Sequence, residues 1–188
     1  MPHENAHEPP FEIRRLTAED AEAFSTLRRA VTAGNPAQMG LSLEEELSRP
    51  IEGFRAQLAS ALPNAVFSAF VGPVLAATAA VSRTGQFGST EHKMVMWGVF
   101  THPVFRRRGL SRAAVRAALE HSSTCGIRRV NLLVYVPNEA AVALYQSLGF
   151  SRCGTEPEAL QLDGTYFDGV HMTLNVESER KPQLQHDR

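Results

Sequence analysis

Two strand-to-helix transitions follow one another in the middle of the chain, and they constrain the fold more than any other feature. An apolar strand over residues 94–101 runs through a basic turn into an alanine-rich helix over 109–124. A second strand, 128–136, passes into a short helix over 138–148 that Asn138 can cap. This βαβα order predicts a mixed α/β fold.

A hairpin is predicted on each side of this central unit. On the N-terminal side, strands over 65–71 and 74–82 flank Gly72-Pro73. On the C-terminal side, the segment 150–174 turns at Asp163-Gly164. Three further elements are predicted before the first hairpin, a strand and two helices, over 11–16, 17–31 and 42–60.

Composition and charge exclude several function classes. The chain has 188 residues, of which 43% are hydrophobic and 21% charged, which predicts one globular domain over 11–176 between flexible polar tails, 1–10 and 177–188. A net charge of −1 without a long basic run argues against a nucleic-acid partner. The lack of a long apolar stretch or signal-peptide core predicts a cytoplasmic protein without a membrane partner. Cys125 and Cys153 do not have metal-ligand spacing, so no metal is expected.

The turn before the longer central helix has the chemistry of an anion site. A helix N-terminus presents unpaired amides and a partial positive charge, which suit a pyrophosphate. Gly109 would let the backbone approach the phosphates without a Cβ in the way. Four arginines add positive charge: Arg106, Arg107, Arg108 and Arg112. These features alone fit a solvated basic turn equally well.

The second transition changes this balance. Between Val134 and Phe150 a strand ends, Asn138 opens a helix, and Tyr145 comes shortly before Leu-Gly-Phe. This segment closely resembles the signature of the GNAT acetyltransferases, and the upstream Arg-x-x-Gly-x-Ser segment, 106–111, resembles the pyrophosphate loop of the same family. The family usually has Gly or Ala at the loop's last small position, where this chain has Ser. The two motifs in this order favour phosphate binding over a plain basic turn.

The resemblance implies a mixed, mostly antiparallel sheet of six to seven strands flanked by about four helices. The strands over 94–101 and 128–136 would split apart into a V-shaped slot for acetyl-CoA, with the pantetheine paired to the backbone of Val99 and Thr101. Gly98 would form a bulge beside the thioester, where strand amides can stabilise an oxyanion. The residues expected to contact acetyl-CoA are Val99, Phe100, Thr101, Arg106, Arg107, Arg108, Gly109, Leu110, Ser111, Arg112, Asn138 and Tyr145.

Tyr145 is the expected catalytic residue. It follows Asn138 by two helical turns, so the two side chains share nearly one helix face, which in this family borders the slot. A phenol has a pKa of about 10, stays protonated at neutral pH and can donate to a departing thiolate. Core packing is the alternative role of Tyr145, and N-capping is that of Asn138.

The group that accepts the amine's proton is left open. Many GNAT enzymes place a Glu on the strand before the pyrophosphate loop, but the strand over 94–101 has no carboxylate. Water is one candidate, and four side chains are the others: Glu91, His92, Asp168 and His171. His102, next to Pro103, is expected to be structural.

The implied activity is transfer of an acetyl group from acetyl-CoA to a primary amine by direct attack in a ternary complex. A small-molecule amine or amino acid is favoured over a protein N-terminus as acceptor, and a homodimer is left open. The segments 32–62 and 156–170 would shape the acceptor pocket. Four aromatic residues either line that pocket or belong to the core: Trp97, Phe100, Tyr166 and Phe167. The alternative function is a non-catalytic CoA-binding sensor or regulatory module.

Overall fold

The computed structural model describes residues 11–85 and 87–176, and its centre is a seven-stranded sheet. The strands are β1 (Phe11–Arg15), β2 (Ala65–Val71), β3 (Val74–Arg83), β4 (Lys93–Thr101), β5 (Arg129–Tyr135), β6 (Ser151–Leu162) and β7 (Thr165–Asn175). Their spatial order is β1-β2-β3-β4-β5-β7-β6, with β4 and β5 parallel and every other pair antiparallel. The predicted mixed, mostly antiparallel sheet is confirmed, whereas the predicted tails lie outside the described residues.

Six helices accompany this sheet in the described part of the chain, where about four were expected. They are α1 (Ala21–Gly34), α2 (Pro36–Met39), α3 (Leu43–Ser48), α4 (Ile51–Leu58), α5 (Leu110–Thr124) and α6 (Glu139–Ser147). A short 3-10 turn, Ala18–Asp20, replaces the first residues of the helix predicted from position 17. None of the helices in residues 11–85 and 87–176 combines the length and the hydropathy of a membrane span.

The additional helices arise around two prolines. Pro36 opens the one-turn helix α2, a position where its missing amide costs nothing. Pro50 divides the helix predicted over 42–60, because proline forces the preceding residue, Arg49, into an extended conformation with ψ of 122°. The predicted capping box is present, since the Ser42 hydroxyl accepts from the Glu45 amide at 3.1 Å and the Glu45 carboxylate accepts from the Ser42 amide at 2.7 Å.

Helices cover both faces of the sheet. On one face, α5 and α6 pack on β4, β5 and β7, where Met94, Val130 and Met172 are fully buried. On the other face, α1 and α4 pack around Phe24 and Phe54, which are also fully buried. Alternate residues of a strand point to opposite faces, so these two clusters form separate layers on the same sheet.

The sheet is split between its two parallel strands. β4 and β5 pair only where Lys93–Val95 faces Arg129–Asn131. β5 pairs with β7 along its whole length, Arg129–Tyr135, and the C-terminal half of β4 remains paired with β3. Beyond Val95, β4 therefore diverges from β5. The predicted V-shaped split between the two central strands is confirmed.

Candidate functional site

The split between β4 and β5 holds a cavity of about 750 Å³. Residues of α1, α2, β4, β5, α5 and α6 line it, together with the turn before α5. Every residue predicted to contact acetyl-CoA lies in this lining except Arg108, whose guanidinium instead sits 5.5 Å from the centre of the Phe105 ring. The fold therefore brings two segments about 40 residues apart in sequence to one cavity.

A β-bulge interrupts β4 at the cavity wall. Gly98 has a φ of +60°, and the register against β3 shifts so that Gly98 and Val99 together lie opposite Ala79. This is the two-against-one arrangement of a bulge whose first residue has a left-handed conformation, which glycine adopts without strain. The Thr78 hydroxyl donates to the Gly98 carbonyl at 2.7 Å and holds the bulge in place. The predicted bulge at Gly98 is present.

The strand beyond the bulge directs backbone groups into the cavity. The His102 amide donates to the Ala76 carbonyl of β3 at 2.8 Å, which orients that residue towards β3. Successive residues of a strand point their backbone groups to opposite sides, so those of Thr101 and Val99 point away from β3. On that side β4 has no strand partner beyond Val95 among the described residues. These two residues therefore offer hydrogen-bonding groups to a ligand in the slot.

The N-terminus of α5 forms one end of the cavity. Gly109 caps the helix with a φ of +76°, and its carbonyl accepts the first intrahelical bond, from the Ala113 amide at 3.0 Å. The amides of residues 110–112 consequently have no hydrogen-bond partner within the described chain, as expected for the first turn of a helix. The Leu110 side chain is only 2% exposed and packs with Ala76 and Ala77, which anchors this turn to the sheet.

The arginines around this turn are available for an anion. Arg106, Arg107 and Arg112 line the cavity, and none of them has an acidic partner among residues 11–85 and 87–176. The hydroxyls of Ser111 and Thr101 form a short hydrogen bond, which joins the first turn of α5 to the end of β4. Ser111 stands where the resembled family usually has Gly or Ala, and its hydroxyl thus links α5 to β4.

Tyr145 lies in the opposite wall, on α6. Its side chain is 7% exposed, and its ring packs edge-on against Phe150 with the ring centres 5.5 Å apart. The hydroxyl has no hydrogen-bond partner in the described residues, and burial raises the pKa of the phenol well above its usual value. Asn138 caps α6 by accepting from the Ala141 amide at 3.2 Å. Both residues line the cavity, so the structural role of Asn138 does not remove it from the site.

The four candidate bases lie outside this cavity. Glu91 and His92 precede β4 at the end where it pairs with β5, and the His92 carbonyl accepts from the Arg128 and Arg129 amides. Asp168 and His171 are engaged within the terminal hairpin, where Asp168 accepts from the Glu158 amide at 2.9 Å and His171 lies 2.8 Å from the Glu156 carboxylate. The lining formed by the described residues contains no Asp, Glu or His.

The side of the cavity formed by α1 and α2 includes part of the segment 32–62 that was expected to shape the acceptor pocket, although no individual residue was predicted there, and no residue of 156–170 lines the cavity. Val31, Gln38 and Met39 line the cavity there, opposite Tyr135 of β5. Gly40 ends α2 with a φ of +73°, and a Cβ at this position would lie 2.7 Å from the Tyr135 ring. The glycine thus allows α2 to approach β5 closely. No motif in the sequence links these segments, although the Asn-Pro start of α2 marks a break in the chain.

The aromatic candidates divide into two groups. Trp97 and Phe100 line the cavity, and Trp97 is oriented by its indole N–H, which donates to the Ser82 hydroxyl at 2.8 Å. Tyr166 and Phe167 lie in the terminal hairpin and are not part of the lining. His102 has the local role expected of it, because its Nδ1 accepts from the Val104 amide at 3.4 Å.

Comparison with known proteins agrees with this geometry. The sequence profile of the acetyltransferase (GNAT) family matches residues 34–150. The chain belongs to this family. The family and the enzyme class that the two motifs predicted are thereby confirmed.

Two relatives show how the family varies in length. A mycothiol acetyltransferase from Nocardiopsis dassonvillei is 30% identical over 145 residues, which cover 75% of this chain and 42% of that protein. The RimI N-alpha-acetyltransferase from Mycobacterium tuberculosis is 28% identical over 155 residues, covering 82% of this chain and 87% of RimI. The chain therefore spans less than half of the first relative and most of the second.

Solved structures share the fold over almost their full length. A GNAT-family acetyltransferase from Streptococcus pneumoniae aligns with a TM-score of 0.81 at 22% identity, covering 88% of this chain and 99% of that one. The protein yncA from Salmonella typhimurium, solved with its cofactor acetyl-CoA, aligns with a TM-score of 0.73 at 19% identity, covering 93% and 98%. At these identities the similarity shows a common fold.

Proposed function

We propose that the chain binds acetyl-CoA in the slot and transfers its acetyl group to a primary amine by direct attack in a ternary complex. The observation that carries the proposal is that one cavity is lined by the N-terminal turn of α5 with its unpaired amides, the free edge of β4 and Tyr145 of α6. Each of these matches a different part of acetyl-CoA: the pyrophosphate, the pantetheine amides and the thioester sulfur. Membership in the acetyltransferase family supports the same assignment.

The pyrophosphate would bind at the N-terminus of α5. The unpaired amides of residues 110–112 can donate to phosphate oxygens, and the helix dipole favours the negative charge. Arg106, Arg107 and Arg112 can neutralise that charge from the rim of the cavity, whereas Arg108 stacks beside Phe105. The pantetheine arm would then extend along Val99 and Thr101 as an added strand.

The chemical step takes place beside the bulge at Gly98. The amine nitrogen forms a bond to the thioester carbonyl carbon, the carbon–sulfur bond breaks, and the electron pair leaves with sulfur. Amides of the bulged strand stabilise the oxyanion of the tetrahedral intermediate. The Tyr145 hydroxyl donates a hydrogen bond to the departing sulfur. Because burial raises the phenol's pKa far above that of a thiol, this hydrogen bond is favoured over complete proton transfer.

The amine's proton leaves through water. Since the described lining has no Asp, Glu or His, a side-chain base in direct contact with the amine is not part of the proposal. The acceptor would enter from the α1–α2 side, past Gln38 and Met39. Relatives are named as an N-alpha-acetyltransferase and as a mycothiol acetyltransferase, so membership in the family alone does not define the acceptor of this chain.

Replacement of two glycines at opposite ends of α5 tests this proposal. Gly109 and Gly126 both have a φ of +76°, and a Cβ at either position would meet no atom within 4 Å. Gly109→Val and Gly126→Val therefore impose similar backbone strain, but only the first projects a branched side chain over the helix N-terminus. We expect acetyl-CoA affinity, measured by calorimetry, to fall by about ten-fold or more in Gly109→Val and to stay at the wild-type value in Gly126→Val.

Equal affinity of the two variants would overturn the placement of the pyrophosphate. A screen of amines, monitored as free thiol released from acetyl-CoA, then tests catalysis. Thiol release that depends on an added amine supports the transferase. Tight acetyl-CoA binding with no thiol release for any amine would instead identify a non-catalytic CoA-binding module.

A further inference from the structure

A second, smaller cavity of about 210 Å³ adjoins the slot on its α1 side. It shares Trp97, Gly98 and Val99 with the slot, so it opens next to the bulge at which the acyl group is proposed to lie. Its other wall is polar and charged, with Arg28 of α1 and Arg49 of the α3–α4 junction. The cavity therefore combines a position beside the reaction with two guanidinium groups.

These two arginines share one buried carboxylate. Arg28 donates through Nε and Nη2 to the two oxygens of Glu46, at 2.8 and 2.7 Å. Arg49 Nη1 lies 3.5 Å from the same carboxylate, and Arg49 Nη2 donates to the Gln57 side chain at 3.2 Å. No other carboxylate of residues 11–85 and 87–176 forms an ion pair with either arginine. The cluster consequently carries one positive charge in excess.

This excess charge lies in a poorly solvated place. The side chains of Arg28 and Glu46 are 7% and 0% exposed, and that of Arg49 is 31% exposed. Burial and the charge of Arg28 lower the pKa of Arg49, and the Glu46 carboxylate opposes this shift. Arg28 Nη1 has no hydrogen-bond partner in the described residues. A buried charge is stabilised by an opposite charge with matched hydrogen bonds, and the open cavity leaves room for one.

We infer that this cavity binds a carboxylate of the acceptor, so that the preferred acceptors are small amines bearing a carboxylate, such as amino acids. The inference rests on the proposed function, because it requires the amine to reach Gly98 while the carboxylate lies against Arg28 and Arg49. Guanidinium groups bind carboxylates through paired, charge-assisted hydrogen bonds. At about 30 Å³ per water molecule, the cavity has the volume of about seven waters, which suits part of a small molecule.

The test compares acceptors that differ at the carboxyl group, and each kcat/KM is expressed per concentration of neutral amine, because a carboxamide lowers the pKa of the neighbouring α-amine. Free α-amino acids and their α-carboxamides are offered as acceptors, and free thiol release from acetyl-CoA is measured for wild type, Arg49→Gln and Arg55→Gln. Arg49→Gln removes one charge and leaves the Arg28–Glu46 pair intact. Arg55→Gln is the matched control, because Arg55 lies in α4 outside both cavities and pairs weakly with Glu22, at 3.7 Å.

We expect wild type to have at least about ten-fold higher kcat/KM for the acids, mainly through a lower KM. Arg49→Gln should abolish most of that preference, Arg49→Lys should restore part of it, and Arg55→Gln should retain it in full. Equal use of acids and amides by wild type, or an unchanged preference in Arg49→Gln, would overturn the inference.

The outcomes also separate this inference from the proposed function. Acetylation of the amides but not of the acids would support the proposed transferase activity and reject the carboxylate site. Absence of acetylation for every amine would reject the transferase. The carboxylate site would then be tested separately, by titration of the same amino acids into CoA-saturated protein. Binding that is lost in Arg49→Gln would support the carboxylate site, and absence of binding would reject it.

Discussion

Replacement of Tyr145 by Phe isolates the hydroxyl that the proposed mechanism uses. The ring and its edge-on contact with Phe150 are retained, and the hydroxyl has no hydrogen-bond partner within the described chain. Removing it therefore leaves no protein group unsatisfied. We expect the free energy of unfolding to change by less than about 1 kcal/mol, so that a kinetic effect can be assigned to the reaction.

The size of the kinetic effect depends on what the hydroxyl does. A positioned general acid contributes about 10²–10⁴-fold in rate. A hydrogen bond to a charged group contributes about 1.5–3 kcal/mol, which corresponds to about 10–150-fold. Because burial raises the pKa of Tyr145, complete proton transfer to sulfur is costly and the hydrogen bond is the favoured role. We therefore expect Tyr145→Phe to lower the rate of the chemical step by about 10–150-fold.

Single-turnover kinetics at saturating acetyl-CoA and acceptor measure this step directly. Acetyl-CoA affinity should stay near the wild-type value, which is the pattern of an interaction made mainly in the transition state. Tyr166→Phe is the control, since it makes the same chemical change on a side chain that is 55% exposed and outside the cavity. A wild-type single-turnover rate in Tyr145→Phe, or weaker binding with an unchanged rate, would refute the assigned role.

Two further predictions concern ion pairs that stabilise the fold. Glu46→Ala leaves Arg28 buried without its carboxylate, so the free energy of unfolding in urea should fall by about 3–5 kcal/mol. The exposed neighbour Glu44 is the control, and Glu44→Ala should stay within about 0.5 kcal/mol of wild type; equal losses would contradict the argument. The Arg14 guanidinium, 2.7 Å from Asp20, lowers the pKa of that carboxyl to about 2. This pair therefore adds stability at and above pH values near 4, and the contribution is lost as the pH falls through about 2. Unfolding measured between about pH 5 and pH 2 should show a smaller acid-induced loss in Asp20→Asn, and identical pH profiles would exclude the pair as a source of stability.

Local signals account for most of the element order. The Gly72-Pro73 and Asp163-Gly164 turns delimit the two hairpins, and the strand predicted over 65–71 has the observed bounds. These predictions succeed because a turn residue acts on its own backbone and needs no distant partner. The single helix predicted over 42–60 is wrong, because Pro50 restricts the residue before it and so ends the first of two helices. The bulge predicted at the glycine of β4 is present, because a glycine inside a strand marks a place where the regular pairing is interrupted.

Spacing and resemblance also anticipated most of the slot lining. Two motifs supply this lining. The first, Arg106 to Arg112, lies on the turn before α5 and its first turn, and the second places Asn138 and Tyr145 near one face of α6. Arg108 is the exception, because its guanidinium contacts the Phe105 ring instead of lining the cavity. Sequence spacing does not determine which of these contacts a side chain makes. All four candidate bases, two at the start of β4 and two in the terminal hairpin, lie outside the lining that the described residues form, because residue type and element do not determine which side chains reach the cavity.

The sequence by itself therefore determined most of the order of the elements, the basic turn before α5 and the family, because each depends on short runs of residues adjacent in the chain. The slot was expected only from the resemblance to a family, and its cause lies in the tertiary structure: β5 stays paired with β7, β4 stays paired with β3, and β4 and β5 separate after Val95. The tertiary structure also decided the charge of the second cavity. Glu46 and Arg49 are neighbours at the end of α3, but Arg28 comes from α1, and the excess charge results from packing of α1 against α3 that no local pattern encodes.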